Sequence, residues 1–321
     1  NFMVNKSKLS IIIANYNHGK YIENLINSIK RQTLQPEKII IIDDGSTDNS
    51  HHLLSKYTQN SQFLIKLNKK NLGVIYRMNE ALTCVKTEYF MVYGADDLIV
   101  RDDAIEISIN ALEKSYSASL SSSLVYQLND DYSINKKIKS ALISNNIRYF
   151  KPEEILEVFT NYGNFINGHM TIVRTKLFLD TVKKYPEISL FTDICCFLNL
   201  ALQHGAVFIP KFLGGYRIQE DGFASKNFNN RPHVYRNFFL MLREIKKINY
   251  KKHNLKKLFS TLKLLTKLYY LKNFNQYNIK YLSALFKIYL FFKINLFFLF
   301  NNPPVFFYYC IYKLKYLIKS Y

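Results

Sequence analysis

The sequence predicts an α/β fold built on a mainly parallel central sheet flanked by helices, followed by a basic, aromatic, helical C-terminal region. Three observations carry that reading. Short β-branched runs alternate with segments of helical hydrophobic spacing, as βαβ units require. Three of those runs stop at clusters of Asp and Asn, which gathers polar chemistry at one rim of a parallel sheet. Finally, the net charge of +20 on 321 residues is unevenly divided. Residues 226–321 hold 19 Lys and Arg against the single acid Glu244, and residues 1–225 are nearly neutral. Half of the 25 Tyr and 25 Phe also fall in residues 226–321.

Ser10–Ala14 (SIIIA) reads as a buried strand running into the polar turn Asn15-Tyr16-Asn17-His18-Gly19. Ile22, Leu25, Ile26 and Ile29 then recur at helical spacing over residues 20–33. Lys38–Ile42 is a second strand, stopped by Asp43-Asp44-Gly45-Ser46-Thr47-Asp48, and Leu53, Leu54 and Tyr57 indicate the next helix. Phe63–Leu67 predicts a third strand, Val74–Val85 a helix, and Glu88–Tyr93 a fourth strand stopped by Gly94-Ala95-Asp96-Asp97. A helix follows over Ala104–Leu112. Residues 115–150, serine-rich and then polar, read as a loop or insertion over the rim. Glu153–Tyr162 reads as a helix, Met170–Arg174 as a strand, Asp193–His204 as a helix, and Val207–Pro210 and Gly214–Ile218 as two short closing strands. The globular domain is expected over residues 8–227, and the basic helical region over 228–321.

Composition removes several classes. Apolar residues at 48% and charged residues at 21% describe a globular chain and not a disordered one. The four cysteines lack C-x-x-C spacing, which argues against a disulfide framework or a cysteine zinc site and suits a reducing compartment. Residues 1–9 lack a signal core. Neither a G-x-G-x-x-G nor a P-loop motif is present, which counts against dinucleotide and P-loop folds. Histidine spacing suggests no ligand set, and the surface reading is expected for most of the seven.

Asp96-Asp97 is the strongest chemical signal. Adjacent carboxylates at a strand end repel unless a cation neutralises them, and oxygen ligands suit Mg²⁺ or Mn²⁺. The competing reading is a helix cap, a role that Asp102 and Asp103 fill better. Asp43-Asp44-Gly45-Ser46 is equally compatible with a simple capping turn, and Asp193 with an N-cap.

The order of these segments resembles that of family 2 glycosyltransferases of the Rossmann-like GT-A fold. The resemblance rests on Ser10-Ile-Ile-Ile-Ala-Asn-Tyr-Asn17, Ile40-Ile-Ile-Asp43-Asp44-Gly-Ser-Thr-Asp48, Asn71-Leu-Gly73 with Arg77 and Asn79, Gly94-Ala-Asp96-Asp97, Thr192-Asp193 and Gly215-Tyr216-Arg217-Ile218. It covers about residues 8–226. It implies an inverting transferase using a nucleotide-sugar donor, UDP-linked by expectation, with Mn²⁺ or Mg²⁺. By that resemblance Tyr16 would stack on the base with Asn15 beside it, and Asp44 would accept an N–H from the base. Arg77 would lie near the base or diphosphate. Asp96 would approach the ribose and the metal, Asp97 would bind the metal, and Asp193 would be the general base, with Asp221, Glu220 and His169 next in line. The pattern departs from many relatives at Gly94, where an acid is common, and at Gln219, where a His often stands.

In the tail, Leu255, Leu258, Leu262, Leu265 and Tyr269 form one helical stripe. Residues 284–300 are more apolar but carry Lys287 and Lys293, and Asn301-Asn302-Pro303-Pro304 ends them. The apolar span is short of the about 20 residues that a crossing helix needs, so an interfacial helix on an anionic membrane surface is expected. Packing against the domain or a second subunit is the rival, and nucleic acid is not expected because no recognised motif accompanies the charge. The whole reading is a transferase acting on a glycan or lipid-linked acceptor at the inner face of the cytoplasmic membrane. The alternative is a catalytically silent nucleotide-binding or membrane-surface module on the same scaffold.

Overall fold

A computed structural model describes residues 6–138, 141–162, 164–184 and 193–217. The basic tail, Gln219, Glu220 and Asp221 lie outside the described residues. Strands β1 (Lys6–Asn15), β2 (Gln35–Asp43), β3 (Phe63–Leu67) and β4 (Tyr89–Gly94) alternate with helices α1 (Gly19–Lys30), α2 (Ser50–Ser55) and α3 (Val74–Thr83). The chain continues through β5 (Leu98–Ile99), α4 (Ala104–Glu113), β6 (Leu120–Leu128), β7 (Ile134–Ile138), β8 (Arg148–Phe150) and α5 (Pro152–Tyr162). It then passes through β9 (Ile172–Arg174), α6 (Thr175–Lys184), α7 (Asp193–His204) and β10 (Ala206–Arg217).

All ten strands form one sheet in the order β3-β2-β1-β4-β9-β6-β10-β5, with β7 on β6 and β8 on β10. The first four strands are mutually parallel, as the βαβ pattern predicts. β9 runs antiparallel to both β4 and β6 and joins the two halves. Alternation along β1 and β2 divides the core between two faces. Ile12, Ile40 and Ile42 pack on one side with Met78 and Leu82 of α3. Ile11, Ile13, Ile39 and Ile41 pack on the other with Ile22, Leu25, Ile26 and Ile29 of α1. Burial on both faces is why these strands read as continuous isoleucine runs rather than alternating ones.

Two expectations need correction. Residues 115–150 are not a loop over the rim: β6 within them is an interior strand between β9 and β10. Its Ser121, Ser122 and Ser123 are fully buried. Small side chains fit between layers, and two of the three hydroxyls find backbone partners inside: Ser122 Oγ donates to Phe165 O and Ser123 Oγ to Leu124 O, each at 3.3 Å. The two short closing strands are one strand, β10. Pro210 offers no N–H, and the pairing with β6 shifts register between Ile209 and Phe212, so the strand bends instead of ending. Among the described residues no helix is long and apolar enough to cross a membrane.

Candidate active site

The carboxyl ends of β2, β1 and β4 lie side by side, with Asn15 paired to Asp43 and Ala14 to Gly94. Every residue that follows these ends is therefore delivered to one rim. Asp43, which the sequence reading passed over as part of a turn, is fully buried. It accepts hydrogen bonds from Asn15 Nδ2 (2.6 Å), Ser46 Oγ (2.6 Å), and the Gly45 and Ser46 N–H groups (3.1 and 2.8 Å). His51 Nε2 stands 2.7 Å from its Oδ1. This carboxylate ties the β1 and β2 loops together, and Gly45 at φ +77° makes the tight turn possible. Asn15 is buried and spends its amide N–H groups on Asp43 and Ser46. Tyr16, one residue on, is 44% exposed.

Asp44 and Arg77 form the second cluster. Asp44 Oδ1 accepts from Leu72 N (2.8 Å) and Arg77 Nε (2.7 Å), and Oδ2 accepts from Gly73 N (2.8 Å). A carboxylate offers about four acceptor positions, so one remains for a further donor. Both partners of this ion pair are about 6% exposed. Arg77 also bonds Glu80 Oε2 (2.9 Å) and the Lys70 carbonyl (2.8 Å), and Lys66 reaches Glu80 at 3.2 Å. Burial works against the charge on Glu80, but the bonds from Arg77 and Lys66 outweigh it and hold this carboxyl below its ordinary range.

Asp96 and Asp97 close the rim. A Cβ on Gly94 would stand 2.8 Å from Asp97 Oδ2 and 2.9 Å from Asp96 Oδ1, so a larger residue here would displace the carboxylates from the pose in which both fold back over the end of β4. Asp97 Oδ1 accepts the Arg217 N–H at 3.0 Å, and His169 Nδ1 lies 2.9 Å from Oδ2. Burial, and then the charge on Asp97, push the Asp96 carboxyl up to about 6. His18 Nδ1 is 3.8 Å from Asp96 Oδ1. Arg217 has a fully buried side chain between the Tyr21 and Tyr132 rings, 4.4 Å from each centroid, and bonds Asp130 and the Asn129 carbonyl.

Of the described histidines, His18, His51 and His169 thus sit beside rim carboxylates while remaining partly exposed. Their spacing carries no ligand pattern because three different strand ends deliver them. Asp193 is the first residue of α7, and its side chain lies outside the described residues.

Among the described residues no group of three or more His, Cys, Asp or Glu side chains is placed to hold a metal ion alone. The pair still fits Mg²⁺ or Mn²⁺, which typically take one or two carboxylates and complete the shell with water and substrate phosphate. The Gly94 cradle leaves room for both carboxylates side by side over the end of β4. Among the described residues, Asn15 Oδ1, His18 Nδ1, Tyr93 Oη and Arg217 Nη2 are buried without a hydrogen-bond partner. A separate cleft of about 350 Å³, lined by Val100, Arg101, Tyr126, Ile134, Lys211 and Phe212, contains none of these residues.

Comparison with known proteins matches residues 10–180 to the model for glycosyl transferase family 2. A cholesterol galactosyltransferase of Borreliella burgdorferi is 28% identical over 214 residues, covering 64% of this chain and 58% of that protein. Staphylococcus aureus TarS residues 1–349, solved in complex with UDP, superimposes with a TM-score of 0.63 at 17% identity, over 85% of this chain and 76% of that one. A mannosyltransferase from Pyrobaculum calidifontis in complex with GDP-Man and Mn²⁺ gives 0.54 at 14% identity, over 82% and 76%. At these identities the solved structures speak for the fold alone, which is the GT-A arrangement.

Proposed function

Since this chain belongs to glycosyl transferase family 2, we propose that it moves a sugar from a nucleoside diphosphate donor, UDP-linked, to a hydroxyl of a glycan or lipid-linked acceptor with inversion. The observation that carries the reading is the rim itself. Asp44 with Arg77 and Asp96 with Asp97 stand beyond the carboxyl ends of β2 and β4, the parallel strands on either side of β1, the position at which such sheets bind ligands. The UDP and GDP-Man bound by the structural neighbours and the cholesterol named for the galactosyltransferase support a nucleotide-linked donor and a lipid-type acceptor.

In this reading the exposed Tyr16 ring stacks on the base, and the remaining acceptor position of Asp44 receives a base N–H. Arg77, held on three sides, fixes Asp44 in that pose. Asp96 accepts a ribose hydroxyl. A Mn²⁺ or Mg²⁺ ion held by Asp97 with Asp96 beside it would neutralise charge on the diphosphate as it leaves. Asp193 takes the proton of the acceptor hydroxyl as that oxygen attacks the anomeric carbon. The bond from that carbon to the diphosphate oxygen breaks, and the electron pair departs with the nucleotide. A positioned base of this kind contributes about 10²–10⁴-fold.

The test is release of UDP from a panel of UDP-sugars by the full chain with Mn²⁺. The reading expects slow hydrolysis without acceptor and faster release with one. Both should be lost in EDTA and in Asp97→Ala. Full turnover in EDTA would overturn the metal assignment. Absence of both binding and turnover across UDP-, GDP- and dTDP-sugars would favour the silent module.

A further inference from the structure

We propose that His169 is a positioning residue for Asp97, its Nδ1–H fixing the carboxylate that would hold the cation. The inference rests on the transferase reading above, because it concerns the metal-dependent part of donor binding. Asp97 is 3% exposed, and two side-by-side donors reach it from the far half of the chain. The Arg217 N–H donates to Oδ1 at 3.0 Å, and His169 Nδ1 lies 2.9 Å from Oδ2. A carboxylate accepts and does not donate, so on this proposal the hydrogen of the contact belongs to Nδ1. Partners of this kind fix the orientation of a ligating group, and their removal commonly costs 10–100-fold in metal affinity.

His169 is itself held in place from three sides. Its ring stacks on Tyr216 at 5.4 Å and 21°, and meets the edge of Tyr93 at 6.4 Å. Met170 follows in the left-handed region at φ +51° and is fully buried. A Cβ on Gly214 would come 2.6 Å from Met170 Cγ, so β10 makes room for this turn. Backbone strain in a non-glycine residue persists where the surroundings enforce it, and it clusters at functional sites. The alternative role for His169 is as an aromatic filler under Tyr216.

The two roles order three variants oppositely. The Asn amide nitrogen can stand where Nδ1 stands but cannot stack. Phe can stack but cannot donate, and Gln carries its amide nitrogen nearer the position of Nε2. The experiment is calorimetric titration of the full chain with UDP, with and without Mn²⁺, alongside thermal melting without either. His169→Asn should keep the Mn²⁺-dependent gain in UDP affinity within about threefold of wild type. His169→Phe and His169→Gln should lose about tenfold or more of that gain, with Mn²⁺-free UDP affinity unchanged. Should the Phe variant fail to fold, the Asn and Gln variants carry the same comparison. Wild-type metal dependence in the Phe or Gln variant, or a loss in the Asn variant as large as in the Phe variant, would overturn the proposal. So would a wild type that binds UDP equally with and without Mn²⁺. A wild type that binds none of UDP, GDP or dTDP would overturn the transferase reading and this inference together.

Discussion

Asp43 and Asp44 differ in position by one residue and in role by a whole layer of structure. Asp43 points inward and satisfies four donors with His51 Nε2 beside them, so the D-D-G-S turn is a joint between loops before it is a binding element. Asp44 points along the rim and is steered by Arg77. The guanidinium bonds Asp44, Glu80 and the Lys70 carbonyl in three directions, which a single ammonium cannot reproduce. Arg77→Lys should therefore lower stability by about 1–3 kcal/mol and weaken UDP binding even though the charge is kept. Equal UDP affinity in the two proteins would show that Arg77 does not set the pose of Asp44. Asp193→Asn keeps the shape of the side chain but cannot accept a proton. Turnover should fall by about 10²-fold or more, with UDP affinity close to wild type. Near-normal turnover would move the base elsewhere. The acids were legible because Asp and Asn accumulate where parallel strands end. The histidines were not: His18 and His169 meet their carboxylates only through the sheet order, and His51 meets Asp43 through the tight turn between β2 and α2.

At the scale of elements, α3 is joined to β3 and to the rim by the chain Lys66–Glu80–Arg77–Asp44. Glu80 has its carboxyl lowered in the folded state, so its contribution to stability is present above the unfolded carboxylate value of about 4.3 and is lost as pH falls through the lower folded value. Glu80→Gln removes that dependence. Melting temperatures of the two proteins should differ most above about pH 5 and converge near pH 3; a constant difference across this range would show that Glu80 acts through shape alone. The first four strands and their helices were legible because isoleucine runs and helical periodicity agree at every step. β6 was not, because serine counts as a loop former wherever burial cannot be seen. β9 falls within the strand expected over Met170–Arg174, whereas α6, which follows it with no intervening turn residues, gave no separate signal.

For the whole molecule, the charge partition remains the least explained property of the sequence. Residues 226–321 carry +18 with half of the Phe and Tyr. Each Lys or Arg near an anionic leaflet contributes about 1 kcal/mol, and buried Phe and Leu add an apolar contribution. The full chain should float with anionic liposomes, less so at high salt, and weakly with neutral ones. Failure to bind either lipid, by protein that is monodisperse without detergent, would make the tail a packing or oligomer element.

The antiparallel strand β9 has a further consequence for the order in which the site comes into being. In the parallel half, residues that follow a strand reach the rim. Through β9 the rim instead receives what precedes a strand, namely His169. The donors to Asp44 all lie within 33 positions of it, at Leu72, Gly73 and Arg77. The backbone donor to Asp97 lies 120 positions away. During synthesis, at about 5–20 residues per second, the Asp44 cluster can assemble while the Asp97 cluster still waits for β10. On the proposed function, a nascent chain would thus hold the donor-recognition half of its site for several seconds before the half assigned to the chemistry.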